Sequence, residues 1–216
     1  SSLRRMLNFG TYIVQPNGQI PMLGASLARN MRRYEQSLYA EMASFDPSFG
    51  YALTGGVVGT EPPDRLAFFP DSGIAILRSG FGPPPEFEQQ THVVFDFGPY
   101  RTTHSDLDAL NVHIYSAGRT LITDSGLFTY ELGPWQSYFH GTRAHNTVVV
   151  DGADQVEGSG TAGLTASGDD WLYQLASHGL YEGVTHHRAV ALLRRDLVLV
   201  VDRLESAAAH QYDQTW

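Results

Sequence analysis

The chain has 216 residues and a mass of 23.8 kDa, enough for one or two domains with a real core. Its hydrophobic content of 42% and charged content of 17% exclude an acidic disordered chain. The net charge is −9 and every basic residue is arginine, so nucleic acid is not an expected partner.

Residues 1–48 are predicted to be helical. Leu23, Leu27, Met31, Tyr34, Leu38 and Met42 recur at spacings of three and four, one apolar stripe of an amphipathic helix. Asp46-Pro47 is expected to stop it, because a residue before proline leaves the helical region. The tyrosines Tyr12, Tyr34 and Tyr39 are expected to be packing residues. An unpartnered stripe also predicts self-association. Residues 49–65 are expected to be a linker. From residue 66 the texture becomes short β-prone runs, at 67–69, 73–78, 92–97, 109–115, 120–123, 146–151, 171–177, 187–194 and 197–204. Turn residues separate them at intervals of about ten, the pattern of an antiparallel sandwich or barrel. Val93, Phe95 and Phe97 share one face of their strand. Residues 158–168, rich in small side chains, are expected to be a loop. The fold class is therefore mostly β, an antiparallel β-sandwich over 66–216 preceded by a short α-helical segment. No apolar run reaches the roughly 20 residues of a membrane span, and the lack of cysteine removes disulfides and thiolate metal sites.

Polar chemistry concentrates between Tyr100 and Asp151. His104, Asp106 and Asp108 alternate, so an extended backbone would point all three to one face. Asp124 ends a predicted strand, and Trp135, Tyr138, His140, Arg143 and His145 follow closely. Each taken alone reads as a turn cap or a surface group; together they read as a polar site on a sheet edge. His104-x-Asp106 with a distal His145 also fits the two-histidine, one-carboxylate set of non-haem iron oxygenases.

The runs 69–78 (FPDSGIAILR), 104–110 (HSDLDAL), 118–126 (GRTLITDSG) and 144–152 (AHNTVVVDG), followed by 181–184 (YEGV) and 200–204 (VVDRL), resemble the heparinase II/III-like polysaccharide lyases. That resemblance implies an (α/α) toroid ahead of the sandwich, with residues 1–48 as its last helices and the rest of the toroid as a missing partner. It implies β-elimination on an acidic, uronate-containing polysaccharide. His104 and Tyr138 then take catalytic roles, and Arg101, Arg143, His140 and Trp135 contact substrate. Asp106, Asp124 and His145 fall where several relatives hold a metal, usually zinc. Here aspartate replaces the usual second histidine, at position 106, so calcium, manganese or no ion is expected instead. By the same analogy the protein is periplasmic or secreted. A carbohydrate-binding or scaffold sandwich without catalysis is the alternative of a different class.

Overall fold

The computed structural model describes residues 2–33, 36–101 and 103–216, with side chains described outside 33–40. Helix α1 (Ser2–Ile13) turns Leu7, Tyr12 and Ile13 inward. The chain then forms a two-strand ribbon, β1 (Gln19–Ile20) against β2 (Arg29–Asn30). Residues 21–28 between them form an irregular strap, so the expected helical stripe does not begin at Leu23. Gly24 takes φ +57°, and a Cβ there would lie 2.3 Å from the His104 carbonyl oxygen, an approach open only to glycine. Leu27 is exposed while Met31 packs inward, so these two do not share one face. Tyr34, Leu38 and Tyr39 of that stripe and packing set lie outside the described side chains.

Helices α2 (Gln36–Phe45) and α3 (Pro47–Thr54) follow. Asp46 does leave the helical region, but to start a helix as well as to end one. Its backbone is extended at φ −132°, and its carboxylate accepts from the Ser48 and Phe49 amides at 3.1 Å each. Pro47 occupies the first helical position, where its missing N–H goes unnoticed. Residues 49–54 are thus helix, not linker.

Beyond that ribbon the described strands build two large antiparallel sheets and one further two-stranded pair. Strands β3 (Leu66–Phe69), β4 (Ile74–Arg78), β5 (His92–Asp96), β6 (Asn111–Ser116) and β7 (Arg119–Ile122) form a meander in chain order. After a short helix, α4 (Pro134–His140), strand β8 (Val148–Val150) begins the second half. The second sheet runs β12-β11-β10-β9, from β9 (Thr161–Gly168), β10 (Trp171–Tyr181), β11 (Val184–Leu193) and β12 (Leu197–Ser206). The last strand, β13 (Tyr212–Gln214), returns to pair with β8.

Period-two alternation decides which layer each side chain joins. Ala75, Leu77, Val93, Phe95, Phe97, Val112 and Ile114 meet Leu172, Ala176, Val190 and Leu192 of the second sheet in the main core. The opposite face of the meander, with Ile74, Ile76 and Val94, packs on Tyr12, Ile13, Val14 and Ala52 of the N-terminal segment. The helices therefore roof the sandwich. Arg78 and His92, both fully buried, are tied to that roof. Arg78 Nη1 donates to the Val14 carbonyl at 2.8 Å, and His92 Nε2 lies 2.7 Å from the Tyr12 carbonyl.

Candidate functional site

The site is built on a backbone strap, residues 104–110, crossing one end of the sandwich. His104 and Leu110 bracket it with left-handed backbone, φ +57° and +68°, a region that histidine visits more readily than leucine. Between them three main-chain groups, the Leu107 carbonyl and both groups of Ala109, are held by side chains. Thr142 Oγ1 donates to the Leu107 carbonyl at 2.7 Å. Gln155 accepts from the Ala109 amide at 2.9 Å and donates to its carbonyl at 3.1 Å. This clamping turns His104 outward and Asp106 inward, so the strap is not the extended strand that would align the two.

Asp106, Asp124 and His145 converge as buried neighbours, each offering a donor atom within 4.8 Å of the others. His145 Nδ1 lies 2.6 Å from Asp124 Oδ2, which also accepts from Asn111 Nδ2 at 2.6 Å, while the Gly126 amide donates to Oδ1 at 2.7 Å. Burial opposes charge on both partners. The hydrogen bond and their mutual attraction prevail: His145 is held up at about 9 and Asp124 below its ordinary range. Asp106 pairs with His140 Nδ1 at 3.1 Å, not with His145 or an arginine. Burial pushes Asp108 up to about 8 and Asp96 to about 6, and it pulls His113 down to about 4.

An aspartate pair and an imidazole make a donor set for a single divalent cation. Asp106 Oδ2 and His145 Nε2 are both buried without a hydrogen-bond partner, which a cation at the cluster would relieve. The residues therefore fit a divalent ion. His104 is exposed and stands outside this cluster, which removes the first ligand of the oxygenase reading.

Beside the strap opens a cleft of about 310 Å³. Arg101, His104, Asp106, His140, Tyr130 and Phe139 line it, and the Tyr130 ring packs edge-on to His104 at 6.1 Å. Ala25, from the 21–28 strap, closes one side. Two sequence assignments change here. Arg143 is not among the lining residues; it pairs with Asp213 at 3.0 Å, because the chain reverses at Gly141 and carries 142–144 toward β8 and β13. Tyr138 sits on α4 behind Phe139, its ring edge-on at 5.2 Å, and does not line the cleft. Trp135 is 63% exposed, on an apron with Phe128 and Phe139 at 5.9 and 6.4 Å. Sequence reasoning missed Tyr130, Phe128 and Asn111. Asn111 follows the 104–110 motif directly, and that adjacency is the one signal in the sequence; its side-chain amide donates to Asp124.

Residues 61–216 match the family model described as heparinase II/III-like, C-terminal. The chain is 22% identical over 207 residues to a heparin-sulfate lyase of Pedobacter heparinus, across 93% of this chain and 31% of the relative. It is 23% identical over 223 residues to a heparin-sulfate lyase of Bacteroides thetaiotaomicron, with the same shares covered. A heparinase III structure superposes with TM-score 0.86 at 19% identity, over 97% of this chain and 33% of that one. A heparan sulfate lyase structure from Pedobacter heparinus gives 0.85 at 21% identity, over 95% and 32%. These superpositions speak for the fold. The chain spans about a third of the length of these relatives.

Proposed function

The chain belongs to the heparinase II/III-like family through the C-terminal domain that residues 61–216 match, and from that premise we propose that it forms the sandwich wall of a polysaccharide lyase acting on a uronate-bearing chain. The carrying observation is the cleft itself, with Arg101, His104 and His140 facing solvent-accessible space in front of a buried carboxylate–imidazole cluster.

β-Elimination removes the C5 proton of the uronate, forms the C4=C5 double bond and breaks C4–O4, and the leaving O4 takes up a proton. The uronate carboxylate must be neutralised for C5 to become acidic enough, an electrostatic task. Arg101 suits it, because a guanidinium meets a carboxylate in two parallel hydrogen bonds. His104 exchanges the proton at C5 or O4. The phenol beside it is Tyr130, which takes the place first given to Tyr138. A toroid wall, as the family resemblance implies, supplies the remaining acid–base and neutralising groups. A bound divalent ion would neutralise the aspartates and fix the strap that carries His104; Asp106, Asp124 and His145 would hold it. The cleft's cationic lining is one arginine and two histidines, which favours a sparsely sulfated or unsulfated uronate polymer. Such a substrate is met outside the cytoplasm, in the periplasm or medium.

The test is the ultraviolet absorbance of the unsaturated uronate when the full-length protein is given a panel of alginate, glucuronan, heparan sulfate and heparin. Rising absorbance with glucuronan or alginate, abolished by His104→Ala, supports the reading. Binding without new absorbance across the panel would replace it with a carbohydrate-binding module.

A further inference from the structure

Arg188 lies in β11 of the second sheet, fully buried and outside the cleft. Its Nε and Nη2 fork onto the Asp202 carboxylate across the strand pair, at 2.6 and 2.9 Å. Asp202 is itself held by His186 Nε2 and Gln214 Nε2, each at 2.7 Å. With that end fixed, the remaining nitrogen, Nη1, donates to two main-chain carbonyls at once, Leu110 at 2.7 Å and Asn146 at 2.5 Å. These carbonyls belong to two of the three segments that carry the buried cluster. Leu110 ends the strap bearing Asp106, and Asn146 follows His145. Gln155 grips the same strap one residue earlier, through both main-chain groups of Ala109.

We propose that Arg188, assisted by Gln155, is a positioning residue that sets the separation of Asp106 from His145 by bridging the Leu110 and Asn146 carbonyls with a single nitrogen. The proposal rests on reading Asp106, Asp124 and His145 as the functional cluster. Lysine cannot replace the fork. A point charge on a flexible stem cannot satisfy the Asp202 carboxylate in two places and still reach two carbonyls. A buried, fully paired guanidinium aimed at main chain rather than at substrate is suited to hold geometry.

Hydrogen exchange on the 216-residue chain tests this without substrate. Arg188→Lys is compared with Val190→Ala, a core deletion in the same strand that loosens the sheet without touching the bridge. Expected is an excess loss of protection of about tenfold in Arg188→Lys, confined to the amides of Leu107, Asn111 and Thr147, with the β10–β11 ladder alike in both variants. Equal protection at those amides, or a uniform loss across the sheet, overturns the proposal. Should Arg188→Lys not fold, Gln155→Ala leaves the Asp202 fork intact. It must still expose Leu107 and Asn111, neither of which bonds to Gln155, and their continued protection is equally fatal. Absent lyase activity in the parent protein would fault the functional reading and leave this result standing.

Discussion

At the scale of single residues the site is governed by opposed titrations. His145 is held at about 9 against an ordinary 6.5. Its pairing therefore stabilises the fold fully below about 6.5 and is lost as pH rises through 9. Asp124, held low, stabilises above about 3.8 and gives this up as pH falls. Removing the carboxylate strands a buried imidazolium, so Asp124→Asn should cost about 3–5 kcal/mol in urea denaturation at pH 7. Asp108 has the opposite sign. Burial raises it to about 8, so it subtracts stability progressively from about pH 4 upward, as the unfolded chain ionises and the folded one does not. Asp108→Asn should stabilise the ion-free chain at pH 8 and leave it unchanged at pH 4. Thermal melts at the two pH values check this. Cation and proton compete for the same cluster, so calcium or manganese should raise the melting temperature more at pH 8 than at pH 6. Asp106→His should shift preference toward zinc, read by titration of the two ions.

Single elements show where the sequence was legible and where it was not. Strands β10, β11 and β12 follow the alternation that one-sided burial imposes, β4 and β5 are apolar runs buried on both faces, and all five match their expected runs within a few residues. The convergence of Asp106, Asp124 and His145 was legible only through motif resemblance, since no local rule joins residues 106 and 145. Strand β9 does not stand out in the sequence because its alanines and glycines carry little β-propensity; pairing with β10 supplies what propensity does not. The 21–28 strap was mistaken for helix because its leucines keep helical spacing while Gly24 makes a tertiary contact that no periodicity encodes. At α3 the Asp46 cap should be worth about 1 kcal/mol; Asp46→Ala should lower the urea midpoint accordingly with an unchanged slope. Gly24→Ala drives a methyl into the His104 carbonyl. It should displace the His104 turn and, on the proposed lyase function, reduce uronate turnover by the full-length protein while circular dichroism stays native.

For the whole molecule, the match to the family domain begins at residue 61, but the packing does not. The helical roof supplies half of the second core and accepts hydrogen bonds from Arg78 and His92. A chain cut to residues 61–216 should therefore bind hydrophobic dye and melt without cooperativity, whereas the 216-residue chain melts in one transition. Calorimetry and dye fluorescence distinguish the two. Ala25 and Gly24 add a second tie, since the same N-terminal segment closes the cleft and rests on the His104 turn. Chimaeras among lyases of this family inherit a constraint from this. A crossover placed at the apparent joint, between residues 54 and 66, would graft a foreign roof onto Arg78 and a foreign wall beside His104. Productive exchange of helical partners requires the breakpoint to fall upstream of α1, so that residues 2–60 travel with the sandwich as one heritable unit.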